Sequence, residues 1–427
     1  MSPPRAASSA KMIDKDVLVN QIASPPRPAF SGPLTHRSPE LKELFAFIAA
    51  GAAERDRERI HPYDVFELVR SARLGALRLR REDGGAGSTL RELFEVVIAL
   101  AAADPNIAHS LRNHYAFVER FPLSRQVAHG RKWADIIASG AIVGLASTEL
   151  TSARVGASPF ATKLVPDRDG FRLTGTKYYS TGTLYADYVQ VRAAGPDDAV
   201  VTAIIPTTRE GVERIDDWDG AGQRLTGSGT TYFHDVRVEA DEIEPDSPST
   251  GYGVPHSNSV AQLLVTATVA GILRNVLTDA VALLGSRKDR HFYFAQTERV
   301  ADDPLLQEII GHISASAYTA EVLILAAADA HDAVFQARER GEPDAELAHA
   351  ASVAASKAKL IVDDLTIRGA SQLFDVAGAS ATRRAKNLDR HWRNARTLAS
   401  HNPVSLKARA LGEYELHGTQ LPSKGFF

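Results

Sequence analysis

The sequence predicts an α+β protein with an N-terminal α-helical domain, a central antiparallel β domain and a C-terminal four-helix bundle. Three observations support this order. Apolar residues first recur at helical spacing, alternating and β-branched runs then follow at intervals of roughly ten residues, and long alanine-rich amphipathic segments complete the chain. We accordingly predict a flexible tail over 1–35, the α domain over 36–140, the β domain over 141–245, and the bundle with its tail over 246–427.

Composition and charge exclude several classes of function. The chain has 427 residues, of which 44% are hydrophobic, and a formal net charge of −3, so neither nucleic acid nor an anionic membrane is a predicted partner. It contains no cysteine, which excludes disulfides, thiolate metal sites and a cysteine nucleophile. No apolar run approaches the roughly 18–20 residues of a membrane span, and the N-terminus lacks the apolar region of a signal peptide. We expect a cytoplasmic protein.

Local signals mark the predicted elements. Six prolines in the first 35 residues argue against regular structure there. A helix is predicted from about Thr89 to Ala103, where Asp104-Pro105 ends it. Val200–Ile205 and Thr230–Val238 are predicted strands, and the Pro/Ser/Gly-rich segment Pro245–Pro255 closes the β domain.

The last part of the chain is predicted to be helical throughout. Val260–Leu284, Leu305–Arg338 and Ala345–Phe374 are the three long helices of the predicted bundle, with a shorter fourth after them. Their apolar stripes are wider than one bundle core requires, which favours oligomerisation.

Four sequence motifs then occur in a specific order, and together they resemble the acyl-CoA dehydrogenase superfamily of flavoproteins over about residues 36–427. The motifs are Gly84-Gly-Ala-Gly87, Ala103-Asp-Pro-Asn-Ile-Ala-His109, Ala146-Ser-Thr-Glu149 and Gly175-Thr-Lys-Tyr-Tyr-Ser-Thr-Gly182. Any one of them is a weak signal, whereas four in the order of that superfamily are a strong one. The resemblance implies a homotetramer, a dimer of dimers with flavin sites between subunits.

The stretch Asp389–Pro403 indicates the branch. Arg393-Asn-Ala-Arg396 resembles the Arg-Asp-Ala helix of the dehydrogenases, but Ser400-His-Asn-Pro403 replaces the motif that carries their catalytic glutamate, with Asn402 at its position. An amide cannot act as a general base because it does not titrate near neutral pH. The stretch instead resembles the oxygenase branch, the family of dibenzothiophene monooxygenase.

That resemblance implies a two-component flavin-dependent monooxygenase. Enzymes of this branch take reduced FMN from a separate NAD(P)H:flavin reductase, react it with O₂ to a C4a-hydroperoxyflavin, and oxygenate a small (hetero)aromatic, sulfur- or nitrogen-containing substrate. The alternative is an acyl-CoA dehydrogenase-type FAD enzyme that oxidises an acyl thioester, with its base elsewhere on the long helices. A superfamily member that has lost catalysis and serves only in assembly is a third alternative.

Three residues are predicted to be catalytic. By resemblance, His401 lies over the flavin, where an imidazole titrating near pH 6.5 donates a hydrogen bond and moves protons; the alternative is a histidine that caps a helix. His114 is predicted on the substrate side, or else is structural. Thr181 is predicted to present a hydroxyl to the flavin, which both donates and accepts; the alternative is a threonine that packs in a strand.

A further set of residues is predicted to bind the cofactor. Arg290 corresponds to the arginine that holds a flavin phosphate, with Ser228 as a second phosphate contact. The remaining predicted contacts are Leu145, Ser147, Thr148, Tyr179, Ser180, Ala379 and Ser380.

Two departures from the related families indicate which cofactor and which substrates the protein uses. Gly378-Ala-Ser-Ala-Thr382 has side chains where FAD enzymes have glycines against the adenosine part, which favours FMN and makes FAD less likely. Leu145 and Leu398 are apolar where dibenzothiophene monooxygenase is polar, which argues against its substrate.

Overall fold

The computed structural model describes residues 25–30, 32–124, 127–150, 159–287, 293–295, 297–425 and 427. Residues 1–24 of the predicted tail, and the predicted phosphate ligand Arg290, lie outside the described residues.

Helices form the first part of the described chain. Their bounds are α1 Glu40–Glu58, α2 Tyr63–Ser71, α3 Leu90–Ala103, α4 Pro105–Arg120 and α5 Gly130–Ala138. The predicted start of α3 is confirmed, because Thr89 and Glu92 form a capping box in which each side chain accepts from the other's backbone N–H. Asp104 ends α3 and caps α4, whose first residue is a proline that needs no hydrogen bond there.

The described part of the middle segment forms one eight-stranded sheet. The strands are β1 Val143–Ala146, β2 Lys163–Asp167, β3 Gly170–Lys177, β4 Tyr188–Ala194, β5 Val200–Pro206, β6 Val212–Arg214, β7 Thr231–Val238 and β8 Ile243–Pro245. Their order is β6-β7-β3-β2-β4-β5-β8, with β1 paired to β4. Most pairs are antiparallel as predicted, but β1 runs parallel to β4, so the sheet is mixed. This corrects the prediction of a purely antiparallel domain.

The three long helices are confirmed in the last part of the chain. They are α6 Ser259–Ser286, α7 Pro304–Arg340 and α8 Ala345–Ala377, followed by α9 Asp389–Ala399 and α10 Val404–His417. Helices α6, α7 and α8 pack on one another, and α9 packs against α6 and α8. Pro304 opens α7 after the capping side chain of Asp303, and Gly341 ends it in the left-handed conformation.

One apolar core joins the first and last groups of helices. It includes side chains of α1, α3 and α4 together with those of α6, α7 and α8. Helices α3 and α6 approach so closely that a Cβ on Gly271 would lie 2.4 Å from that of Ala101. The sheet has its own smaller core. The predicted domain boundaries therefore stay predictions, because the two helical regions share their largest core.

Within the described residues, α6 and α7 are long and apolar enough to cross a membrane by length and composition alone. In α6, 78% of the apolar window is buried inside the protein, as a core helix requires. In α7 only 22% is buried, and Leu305, Tyr318 and Val322 are exposed. Helix α7 thus presents an apolar face to the outside of the single chain.

A buried ion pair ties the end of β1 to β3. The Lys177 ammonium donates to Glu149 Oε1 at 2.7 Å and to the Ser147 carbonyl at 3.2 Å, and it lies 4.1 Å from the centre of the Phe160 ring. Burial opposes the charged carboxylate, but donors from Lys177 and two backbone N–H groups outweigh it and hold the pKa of Glu149 below its usual range. Two of the sequence motifs therefore meet in this pair.

Replacing Lys177 with methionine should destabilise the protein by about 3–5 kcal/mol, because Glu149 would stay buried without its cation. Lys163→Met is the matched control, since Lys163 bonds Asp198 at the same distance of 2.7 Å but at the surface, and it should cost about 1 kcal/mol or less. The measurement is the free energy of unfolding in urea. Equal losses in the two variants would contradict a structural role for the buried pair.

Candidate functional site

Helix α4 brings a row of polar side chains into the interior. His109, Arg112 and Asn113 are all buried, between the sheet and the C-terminal helices. Polar groups in such a place require partners. The Asn113 amide donates to the carbonyl of Thr181 at 2.9 Å, so the helix holds the segment that follows β3.

A chain of three hydroxyls continues from Thr181. Thr181 Oγ1 lies 2.9 Å from Ser228 Oγ, which lies 2.7 Å from Thr226 Oγ1, and Thr226 donates to the Gln223 carbonyl at 2.9 Å. Each hydroxyl has one hydrogen. Because Thr226 donates its hydrogen to a carbonyl, it can only accept from Ser228. Ser228 therefore donates to Thr226, and Thr181 donates to Ser228. Thr181 is therefore left with acceptor lone pairs only, which corrects the expectation that it also donates to a ligand.

His401 lies in the turn after α9, next to α4. Arg112 Nη1 donates to His401 Nε2 at 2.9 Å, and the rings of His109 and His401 meet edge to face at 6.3 Å. A guanidinium can only donate. Nε2 is therefore the acceptor, and the hydrogen of the neutral ring is on Nδ1. This orientation leaves Nδ1–H as the one hydrogen that His401 has for a ligand.

His401 is neutral at physiological pH. The residue is partly exposed in the single chain, but the protein atoms packed around it lower its pKa well below the usual range, and the charge of Arg112 lowers it further. The expectation that it titrates near pH 6.5 is wrong for this reason. Proton donation at this place would come from a neutral imidazole N–H.

The structure gives His114 a structural position. Its Nε2 lies 3.0 Å from the Gly75 carbonyl, its Nδ1 accepts from the Val143 N–H at 3.1 Å, and the side chain is completely buried. Both ring nitrogens therefore link the helical region to the start of β1, and none is left for a substrate. The predicted substrate-side role does not fit this geometry. A Cβ on Gly75 would lie 2.3 Å from Nε2, so this close approach requires a glycine.

Two predicted cofactor contacts also use their hydroxyls within the protein. Ser228 is buried, and its hydroxyl is taken up by Thr181 and Thr226, which corrects its assignment as a phosphate contact. Thr148 donates to the Tyr178 carbonyl and accepts from the Tyr179 N–H at 2.8 Å. Its side chain therefore fixes the strand ends and leaves no hydrogen for a ligand.

The ends of β1 and β3 form the open edge next to these groups. Leu145 and Ser147 are buried at the end of β1. Ser180 Oγ is buried and has no partner among the described residues. Tyr179 is 47% exposed and meets Trp218 edge to face, with ring centres 5.6 Å apart.

The remaining predicted contacts lie on a different element. Ala379 and Ser380 are exposed on the 3-10 helix Gly378–Thr382 that follows α8. The described contacts do not bring this helix together with the hydroxyl chain in one subunit. Its predicted role in cofactor binding stays a prediction.

Among the described residues, no carboxylate that could act as the dehydrogenase base is one of the groups that influence the pKa of His401. Those groups are Arg112, His109 and Lys359. Asp363 of α8 is the acid paired with Lys359, at 2.7 Å, and both side chains are buried. Burial outweighs the lysine and raises the pKa of Asp363. Held by Lys359 and closed to solvent, Asp363 is not placed to take a proton from a bound thioester.

Comparisons with known proteins agree with this fold. The sequence model of the acyl-CoA dehydrogenase C-terminal domain matches residues 263–405. Dibenzothiophene monooxygenase from Rhodococcus erythropolis is 32% identical over 399 residues, which cover 88% of this chain and 92% of that protein. A probable FMNH2-dependent monooxygenase, SfnC, from Pseudomonas putida is 28% identical, with 95% and 99% covered. The FMN-bound crystal structure of TdsC from Paenibacillus sp. A11-2 superposes with a TM-score of 0.81 at 28% identity, covering 90% of this chain and 98% of that one.

The fold and the site define a flavin enzyme of the acyl-CoA dehydrogenase type that lacks the dehydrogenase base at its usual place. Within that class, the chain belongs to the flavin-dependent monooxygenase branch of the superfamily, with FMN as its cofactor.

The described residues fit a flavin at the β1–β3 edge. A flat ring with polar edges suits the acceptor of Thr181, the unpartnered hydroxyl of Ser180 and the exposed ring of Tyr179. Arg112, Asn113 and Gln223 are residues of the candidate site that the sequence analysis did not name. Their side chains bond to His401, to the Thr181 carbonyl and to His109, which are all distant in the sequence.

The buried His114 predicts a measurable pH dependence of stability. Burial lowers its pKa to about 4, against 6.5 in the unfolded chain. Between these values the unfolded state binds a proton that the folded state does not, so the free energy of unfolding falls with falling pH, by about 1.4 kcal/mol per pH unit. His114→Gln should reduce that slope by about this amount between pH 4.5 and 6.

The control for this experiment is His312→Gln, which removes an exposed histidine of α7. Urea unfolding at several pH values gives the slopes. Parallel lines for wild type and His114→Gln would show that position 114 does not carry this proton linkage.

Proposed function

We propose that the protein is the oxygenase component of a two-component system. A separate NAD(P)H:flavin reductase supplies reduced FMN, and the enzyme transfers one atom of O₂ to a small sulfur- or nitrogen-containing organic substrate. The second oxygen atom leaves as water, and the two electrons come from the reduced FMN. The relative named FMNH2-dependent monooxygenase supports the dependence on a supplied reduced flavin.

One observation of the structure supports the proposal in addition to membership of the family. A neutral His401, held by Arg112 and in edge-to-face contact with His109, lies directly before Asn402, the residue at the position of the dehydrogenase glutamate. An imidazole N–H can donate a hydrogen bond to oxygen without giving up a full proton. A glutamate in this place would be acceptor-only when ionised and could not do so.

The chain's own residues have distinct tasks in this proposal. The backbone at Leu145 and Ser147, the hydroxyl of Ser180 and the lone pairs of Thr181 would hold and orient the flavin ring. His401 Nδ1–H would donate to oxygen at the reacting position, and Arg112 keeps that N–H in place by occupying Nε2. The deep position of α4 and the surrounding core would exclude water from one side of the site.

We also propose a cytoplasmic homotetramer, a dimer of dimers. The support is the outer face of α7, where Tyr318 and Val322 lie one turn apart and are exposed, and only 22% of the apolar window is buried. An exposed apolar face of this kind is typical of subunit interfaces. Ala379, Ser380 and Arg290 would then contribute to the flavin sites between subunits.

The function is tested with chemically reduced FMN, ¹⁸O₂ and candidate organosulfur and amine substrates, without any reductase. We expect a product that contains one ¹⁸O atom, with FMN supporting a higher rate than FAD. The acyl-CoA dehydrogenase alternative predicts the opposite pattern, in which tightly bound FAD is bleached by an acyl-CoA under anaerobic conditions. That pattern, or a product that contains oxygen from water, would refute the proposal.

Replacing His401 with alanine should uncouple the reaction. Without Nδ1–H, oxygen is reduced mainly to free H₂O₂, and the rate of product formation should fall by about 10²-fold. H₂O₂ and product are measured for each reduced FMN consumed. Ser400→Ala is the control, because Ser400 is the exposed neighbour whose hydroxyl donates only to the Arg396 carbonyl. An unchanged ratio of H₂O₂ to product in His401→Ala would remove His401 from the mechanism.

A further inference from the structure

Arg112 is a buried cation without a carboxylate partner. It is 5% exposed, and among the described residues its only hydrogen bond goes to the neutral ring of His401. Its Nε is buried and bonds to nothing described. Burial lowers its pKa to about 10, the phenol of Tyr252 opposes this, the charge of Arg120 lowers the pKa further, and no carboxylate is among the groups that act on it. An isolated buried charge is costly, so proteins normally pair it.

Other cations add to the positive charge of this region. Lys359 acts on both His401 and Lys407, and Lys407 is itself buried, which lowers its pKa to about 8. Asp363 pairs with Lys359 and is also influenced by the charge of Arg396. Arg112, Lys359 and Lys407 therefore face a single described carboxylate, and the electrostatic potential around His401 favours an anion.

The unpaired nitrogens of the Arg112 guanidinium define where an anion would bind. Nη1 is engaged with His401, which leaves Nε and Nη2 without an acceptor in the described part of the chain. The next residue along α4, Asn113, holds the carbonyl of Thr181. Arg112 thus contacts His401, the proposed hydrogen-bond donor to oxygen, and is the neighbour in α4 of the residue that holds the proposed flavin edge.

We propose that Arg112 binds an oxoanion group of the substrate, so that the enzyme acts on small organic acids such as sulfinates or carboxylates rather than on neutral molecules. A guanidinium presents two parallel N–H groups to such an anion, which supplies both affinity and orientation. The inference rests on the proposed monooxygenase function and specifies the substrate class for the same site.

The test measures binding without turnover, so that it is independent of the oxygenation assay. Protein loaded with oxidised FMN is titrated calorimetrically with benzenesulfinate and with methyl phenyl sulfone, a neutral molecule of nearly the same shape. Wild type should bind the sulfinate at least tenfold more tightly than the sulfone. Equal affinities, or a preference for the sulfone, would overturn the proposal without any variant.

Variants then assign the preference to Arg112. Arg112→Gln should weaken sulfinate binding by about 10- to 100-fold and leave sulfone binding unchanged, whereas Arg112→Lys should keep part of the preference. Arg368→Gln, at an exposed arginine of α8, is the control with the same change in charge and should behave as wild type. Unchanged sulfinate affinity in Arg112→Gln would overturn the assignment.

The phosphate of FMN is the other source of an anion. Wild type and Arg112→Gln are therefore titrated with FMN and with riboflavin, which lacks the phosphate. We expect the variant to bind both flavins as wild type does. A loss confined to FMN would show that Arg112 binds the cofactor phosphate, and the proposal would fail although the monooxygenase function could still stand.

Discussion

The constraint on which this structure depends is that α4, a helix with polar side chains along one side, is almost completely buried. Most polar side chains on it have a partner in the interior, and several of these partners belong to other elements of the fold. Asn113 fixes the end of β3, His114 fixes the start of β1, and Arg112 fixes the turn after α9. One helix therefore sets the relative positions of the sheet and the C-terminal helices, and the candidate site lies where its bonds converge.

The order of the elements could be predicted from sequence, because it depends on local periodicity. The three long helices, β5, β7 and the start of α3 each have apolar patterns and caps of their own. The parallel pairing of β1 with β4 could not, since β1 is a short, fully buried strand whose sequence does not indicate its neighbour's direction. The shared core of α3 and α6 is likewise a contact between segments more than 150 residues apart.

Individual site residues were less predictable than the family. The side chains of His114 and Ser228 could bind a ligand. Their roles depend on their hydrogen-bond partners, which in the structure are a backbone carbonyl for His114 and another hydroxyl for Ser228. The low pKa of His401 depends first on the protein atoms packed around the side chain and then on a guanidinium 289 residues away along the chain. Glu149 and Lys177 are a different case. They belong to two motifs in which the sequence analysis predicted cofactor contacts, and in the structure they form a buried ion pair that holds the strand ends. Motifs locate a site reliably, whereas hydrogen-bond partners decide which atoms in it are free.

The direction of the hydroxyl chain has a consequence for the redox state of the bound ligand. Its last acceptor is the Gln223 carbonyl, which can never donate, so the polarity of the whole chain is fixed by the backbone. Thr181 therefore meets a ligand with lone pairs, which attract an N–H and repel a bare ring nitrogen. A flavin gains a ring N–H when it is reduced and loses it when it is oxidised. If FMN binds at this edge as we propose, the backbone of a single turn would favour retention of reduced FMN and release of oxidised FMN, as a flavin supplied by a reductase would require.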